Sequence, residues 1–176
     1  MNAVTGTLSV WAGAESACVR IAGRANFAVS VNFRKLLHHL AGTGHRRVLI
    51  DLSECASMDS TFIGVLAHEA NKLTPVGSSV SRPAIELLNP NATVRQTTEE
   101  LGIAQLFQFV ERDLSREKFE AAPAAGETTR IELNRTCLEA HELLMALHPD
   151  NVMKFRDVVR FFAEELRADR EKTDDG

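Results

Sequence analysis

Val48-Leu49-Ile50-Asp51-Leu52-Ser53-Glu54-Cys55-Ala56-Ser57-Met58-Asp59-Ser60-Thr61-Phe62-Ile63-Gly64-Val65-Leu66 is the stretch that decides the fold. With Arg47 before it, its first part, Val48 to Leu52, makes a short, largely apolar run of the kind that fits a strand covered on both faces. Ser53 to Ser57 reads as a loop, and Met58-Asp59-Ser60-Thr61 then opens an amphipathic helix with the stripe Ile63, Leu66, Ala67, Ala70 and Leu73. Thr74-Pro75 ends that helix, because proline cannot continue the hydrogen-bond ladder. Hydroxyls at a helix start lie where unpaired backbone N–H groups and the positive end of the dipole stabilise an anion. A phosphoserine at Ser60 would bring about −1.5 to −2 charges to that point and change any docking surface that includes it. The plainer reading is that Asp59 or Ser60 caps the helix and does nothing more.

Upstream, Leu8 and Val10, then Val19 and Ile21, alternate as half-buried strands do, and Ala12-Gly13-Ala14 supplies the turn of a β-hairpin. Phe33, Leu36, Leu37 and Leu40 form one helical stripe in a segment running from Phe27 to Leu40, which Gly42 and Gly44 terminate. Downstream, Ile85 to Leu88 reads as a strand, Asn89-Pro90-Asn91 as a turn and cap for a helix reaching Leu101-Gly102, and Leu106 to Val110 as a last strand. This alternation predicts one sheet with helices mainly on one face.

Beyond Arg112 the pattern weakens. Residues 119–129, with Ala121 to Thr128 small, polar or helix-breaking, read as a linker between a domain over 1–118 and a helical hairpin over 130–170, followed by a tail at 171–176. In the hairpin, Leu138, His141, Leu144 and Met145 form one stripe, and Val152, Phe155, Val158, Val159, Phe162 and Leu166 a second. Asp150 or Asn151 caps the second helix after His148-Pro149. The hairpin is too short to hold a core by itself, so its apolar face must pack on the first domain, on a second copy in a homodimer, or on a partner.

Composition narrows the function classes. The chain has 176 residues, 44% hydrophobic and 25% charged, which excludes a disordered or fibrous polymer. With 20 basic against 24 acidic residues and no basic run, it carries no footprint for direct nucleic-acid or anionic-bilayer contact. No run approaches 18 apolar residues, so no membrane span is expected. Met1 to Gly6 lacks the basic flank and apolar stretch of a secretory signal, which predicts a cytoplasmic protein. Cys18, Cys55 and Cys137 are far apart and odd in number, giving neither a disulfide framework nor a zinc site.

The run Asp51-Leu52-Ser53, then Met58-Asp59-Ser60-Thr61 and Gly64-Val65-Leu66, resembles the signature of STAS domains, specifically the anti-sigma factor antagonists. Gly23-Arg24-Ala25-Asn26 stands where that family has a Gly-Glu-Leu-Asp-like turn before its first helix. The resemblance covers residues 7 to about 111. It implies an α/β fold with a STAS-like mixed β-sheet and helices mainly on one face, here followed by the C-terminal helical hairpin. It also implies a non-catalytic, cytoplasmic partner switch with no cofactor and no metal. The unmodified form binds an anti-sigma factor serine kinase and releases sigma; the kinase phosphorylates the antagonist and a metal-dependent phosphatase of the PP2C type restores it. Carried over, Ser60 is the phosphoacceptor and Thr61 a second candidate. Docking runs through Asn26, Asp59, Ser60, Thr61 and Phe62. Two departures stand out. Phe62 occupies a place where the family usually has glycine, and the family's final helix is not evident before the linker, so the hairpin is expected to supply that cover. A STAS subunit of a transport or signalling complex without a phosphoswitch is the alternative, and Phe62 favours it.

Other polar groups carry less. His38 and His39 are adjacent on a helix and point in different directions, unlike a ligand pair. Cys137 and His141 lie four apart on one helical face, as a nucleophile and base would, with no orienting acid in the pattern. Glu99-Glu100 and Glu164-Glu165 read as solvated faces, and Gly42-Thr43-Gly44 follows a helix where a phosphate loop would open one. Trp11 reads as sheet-surface packing.

Overall fold

A computed structural model of the chain describes residues 6–45, 47–73, 85–123 and 126–174. The Thr74-Pro75 stop, the Met1 to Thr5 segment, Ala124-Ala125 of the linker and the last two residues of the tail lie outside the described residues. Strands β1 (Thr7–Ala12) and β2 (Ser16–Ala25) form the expected antiparallel hairpin. Helix α1 (Phe27–Gly42) crosses over to β3 (Arg47–Asp51), which pairs parallel to β2. Strand β4 (Cys55–Met58) leads into α2 (Ser60–Leu73); β5 (Ile85–Leu88), α3 (Ala92–Glu100), β6 (Gln108–Val110) and the two-residue β7 (Glu120–Ala121) follow. The sheet order is β6-β5-β3-β2-β1-β7, with β4 pairing the end of β2 off this path.

Three local differences from the sequence pattern have physical reasons. Ser53 to Ser57 is not all loop. From Cys55 the chain forms β4, because β2 is ten residues long and its last three, with a register shift between Gly23 and Arg24, run past the end of β3 and take a second parallel partner. The Leu106 to Val110 strand begins only at Gln108, since residues 104–106 coil into a 3₁₀ turn. Finally, Glu120 and Ala121, inside the stretch read as a linker, pair antiparallel with Val10 and Ser9 and cover an edge of the sheet.

Alternation along the strands splits the interior in two. Ala17, Val19, Ile21, Val48, Ile50, Ile85 and Leu87 face the helices, where they meet Phe33, Leu37, Phe62, Ile63 and Leu66. Cys18, Leu49 and Leu88 point the other way, onto Leu114 with Trp11 and Phe119 against them. The second face is thus sealed by the segment after β6, and the helices lie mainly on the first. Burial, reinforced by the nearby Asp51 carboxylate, pushes the Cys18 thiol up to about 12.

The hairpin consists of α4 (Arg130–Leu147), capped by Thr129, and α5 (Asp150–Asp174). Ala140 and Leu144 of α4 belong to the same core as the sheet, so the hairpin packs on the first domain and completes the helical layer beside α2. Of the expected α4 stripe, His141 and Leu144 are buried and Leu138 and Met145 only partly so, because the helix is rotated to put Cys137 and Ala140 against α2. Arg34 of α1 reaches Glu139 of α4 at 2.7 Å, and Lys35 reaches Glu132 at 2.9 Å. At the turn, Asn151 is fully buried and its amide donates to the carbonyls of Leu101 and Leu144 at 2.9 and 2.8 Å. Gly102 is required there: it has φ +67°, and a Cβ would stand 2.4 Å from the His148 ring.

Glu69 ties α2 to α1. Its carboxylate, 5% exposed, lies 3.0 Å from His38, 3.3 Å from His68 and 3.5 Å from both Arg34 and Lys72. Burial alone would raise its pKa; the hydrogen bond from His68 and the positive charges of Lys72 and His38 outweigh that and hold it at about 2. A carboxylate lowered in the folded state stabilises above its unfolded value and stops doing so as pH falls through the folded one. Urea midpoints should therefore drop for the wild type as pH falls from about 4.5 toward 2, with a shallower drop over that window in Glu69→Gln.

Candidate functional site

The strand ends β2 and β4 deliver Asn26 and Asp59 to the same place, where the Asp59 N–H donates to the Ala25 carbonyl at 2.9 Å. Asn26 caps α1 through its side-chain oxygen, which accepts from the Ala28 N–H at 3.1 Å. The Asp59 carboxylate then does two jobs. One oxygen accepts from the Phe62 N–H at 2.8 Å and caps α2; the other accepts from the Phe27 N–H at 2.7 Å, in the first turn of α1. Two positive helix ends converge on one carboxylate. Asp59 therefore caps α2, and Ser60 is free of that duty.

Ser60 is the first residue of α2 and is half-buried. Its hydroxyl lies 3.0 Å from Nε2 of His141, whose Nδ1 lies 2.7 Å from the Cys137 carbonyl. A carbonyl only accepts, so Nδ1 carries the proton and Nε2 of a neutral ring accepts from Ser60. Burial pushes the His141 pKa below the ordinary histidine value, against the raising effects of the Cys137 carbonyl and the Asp59 charge, which agrees with a neutral ring. Thr61 is 7% exposed, and its hydroxyl donates to the Cys137 sulfur at 3.9 Å. Phe62 is fully buried and packs on Phe33 with ring centroids 4.7 Å apart. Its position in the sequence places it beside the site, but its side chain belongs to the core.

Of the five residues singled out from the sequence, Asn26 and Asp59 line a groove together with Arg24, Ala25, Phe27, Ser57 and Met58, whereas Ser60, next along the chain, does not line it and turns its hydroxyl to His141. Phe27 is half-exposed at its rim. Thr61 and Phe62 point away from it. Sequence reasoning missed His141, Cys137 and Ala140 as neighbours of this helix start; their four-residue spacing on one face was visible, but which surface that face meets was not. Cys137 and His141 touch through a backbone carbonyl, and burial raises the pKa of the thiol, so they do not form an activated nucleophile–base pair. No group of three or more His, Cys, Asp or Glu side chains among the described residues could hold a metal ion.

Comparison with known families places this arrangement. The family model described as "Mlab, STAS domain" matches residues 9–111, more than half of the chain. The chain belongs to the STAS domain family. Its STAS domain is similar in fold to an anti-sigma factor antagonist from Mycobacterium paratuberculosis, with a TM-score of 0.51 and 15% identity, over 63% of this chain and 89% of that one. It is also similar to the anti-sigma factor antagonist SpoIIAA in its unphosphorylated form, with a TM-score of 0.50 and 16% identity, over 62% of this chain and 90% of that one. A search of curated proteins found no match. The family match stops short of the hairpin, so the helix that contacts Ser60 lies outside the matched STAS region. No helix among the described residues is long and apolar enough to cross a membrane.

Removing the Asp59 carboxylate should loosen both helix starts at once. Asp59→Ala should cost about 2 kcal/mol in chemical denaturation, the sum of two capping bonds of about 1 kcal/mol each. Asp59→Asn keeps an accepting oxygen for one of them and should cost about half as much.

Proposed function

We propose that the chain is an anti-sigma factor antagonist that works in the cytoplasm as a phosphorylation-controlled partner switch. The observation that carries this reading is the Ser60 hydroxyl at the first residue of α2, next to an Asn26–Asp59 rim that is otherwise fully engaged in capping. Unphosphorylated, the STAS domain binds an anti-sigma factor serine kinase through the Asn26 loop and the start of α2, and sigma is released. Phosphorylation of Ser60 places about −1.5 to −2 charges on that docking surface and ends the association, and a PP2C-type phosphatase reverses it. Burial favours Ser60 over Thr61 as acceptor: both touch α4, but Ser60 is only half-buried and Thr61 is 7% exposed. The role is non-catalytic and uses no cofactor. The switch domain is the sheet with its helices, closed by β7 at Glu120–Ala121, and α4 and α5 form an added hairpin reaching Asp174.

A second reading, a STAS subunit of a transport or signalling complex with no phosphoswitch, is favoured by the engagement of the Ser60 hydroxyl with His141. It predicts a stoichiometric complex with an ATPase whose formation ignores phosphorylation. Incubation with the cognate kinase and ATP, followed by mass spectrometry of the peptides, separates the two. The switch predicts phosphate on Ser60 and none on a Ser60→Ala chain; a chain left unmodified at both Ser60 and Thr61 rules it out.

A further inference from the structure

Helix α4 occupies the ground that a kinase reaching Ser60 would need. Three contacts in succession along α2 hold it there. At the helix start His141 accepts the Ser60 hydroxyl, and at the next residue Thr61 meets Cys137. One turn further on, Gly64 faces Ala140 so closely that a Cβ at position 64 would stand 2.7 Å from both the Cβ and the carbonyl oxygen of Ala140. The two helices therefore touch backbone to backbone, an approach that glycine alone permits. Phe155 of α5 packs on the other side of the His141 ring, 5.0 Å between centroids, and keeps it pressed over Ser60.

A phosphoryl group built on the Ser60 hydroxyl in its present direction meets the His141 ring. It adds a phosphorus and three oxygens to a hydroxyl whose neighbour is already 3.0 Å away. The imidazole clears that space either by changing its own rotamer, which costs its bond to the Cys137 carbonyl, or by moving with the backbone of α4, which breaks the Gly64–Ala140 contact one turn away. Docking of the hairpin and modification of Ser60 therefore compete for the same space.

We propose that the C-terminal hairpin is an intramolecular competitor for the Ser60 face of α2. In the closed form α4 withholds Ser60 from the kinase. Partner docking and phosphorylation proceed from an open form in which the hairpin has left α2, and the phosphorylated chain stays open. The inference rests on the reading of Ser60 as the phosphoacceptor, and it adds how access to that serine is controlled. The polar ties between the layers suit such a departure. Lys35–Glu132 lies at partly exposed positions, where solvent replaces each partner at little cost, and Arg34 keeps Glu69 of α2 as a partner when Glu139 leaves.

The three cysteines provide the test on the full-length protein. Cys137 is buried between α4 and α2, Cys18 lies beneath the opposite face of the sheet, and Cys55 starts β4 in the main core. Native protein is treated with N-ethylmaleimide, and modification of each cysteine is timed by peptide mass spectrometry. An independently opening hairpin should label Cys137 at least about tenfold faster than Cys18, since local opening needs less free energy than opening the sheet. Ser60→Glu, which puts a carboxylate where the phosphoryl group would lie, should raise the Cys137 rate a further tenfold or so and leave Cys18 unchanged. Gly64→Ala should do the same by pushing the helices apart, although alanine is the better helix former within α2. Equal labelling of all three cysteines in the wild type overturns the proposal, as does a Ser60→Glu chain whose Cys137 stays as slow as in the wild type. None of these readings needs a kinase. If the kinase ignores Ser60 even in Gly64→Ala while Cys137 labels early, the phosphoswitch fails and the detachable hairpin stands.

Discussion

The Asp59 carboxylate, shared between the first N–H groups of two helices, is the constraint from which the rest of the site follows. Helices α1 and α2 leave different strands and would otherwise present separate sets of unpaired donors to solvent. Fastening both to one side chain sets the angle between them and brings the Asn26 loop beside the start of α2. It also leaves Ser60 with no structural duty toward its own helix, so its hydroxyl is available for an external partner. In this chain the partner found is an imidazole from the hairpin.

Helix α2 is buried along almost its entire length because it is covered twice, by the sheet beneath and by α4 above. Phe62 and Ile63 serve the lower contact, and Ser60, Thr61 and Gly64 the upper. The absence of a glycine at position 62 is explained by this division, since the ring fills space against Phe33 and takes no part in the exposed rim. The glycine that matters for close approach is Gly64. A similar fold without the hairpin would present the upper side of α2 to solvent.

The sheet, its helical crossovers and the start of α2 were legible because each follows from local signals: period-two alternation in β1 and β2, a continuous apolar run in β3, and capping residues at Asp59 and Asn91. Where non-local pairing decides, local signals failed. Cys55 to Met58 has no strand pattern of its own and becomes β4 only because β2 overruns its other neighbours. Glu120 and Ala121 look like spacer and become a strand because β1 has a free edge. The hairpin was legible as two amphipathic helices, yet its docking partner was not, since an apolar stripe states that something must cover it without stating what. The contact between His141 and Ser60 spans eighty-one positions of sequence, and no spacing rule reaches that far.

Trp11 lies in the small cluster with Leu49, Leu88 and Phe119, on the side of the sheet away from α2 and α4. The chain contains no tyrosine, so this single indole supplies essentially all of its near-ultraviolet emission. Its fluorescence will register the collapse of the sheet and remain silent when the hairpin swings away. A melt followed by tryptophan emission would therefore look like a single transition even when the molecule comes apart in two stages, and the earlier stage would need a signal from the helical side.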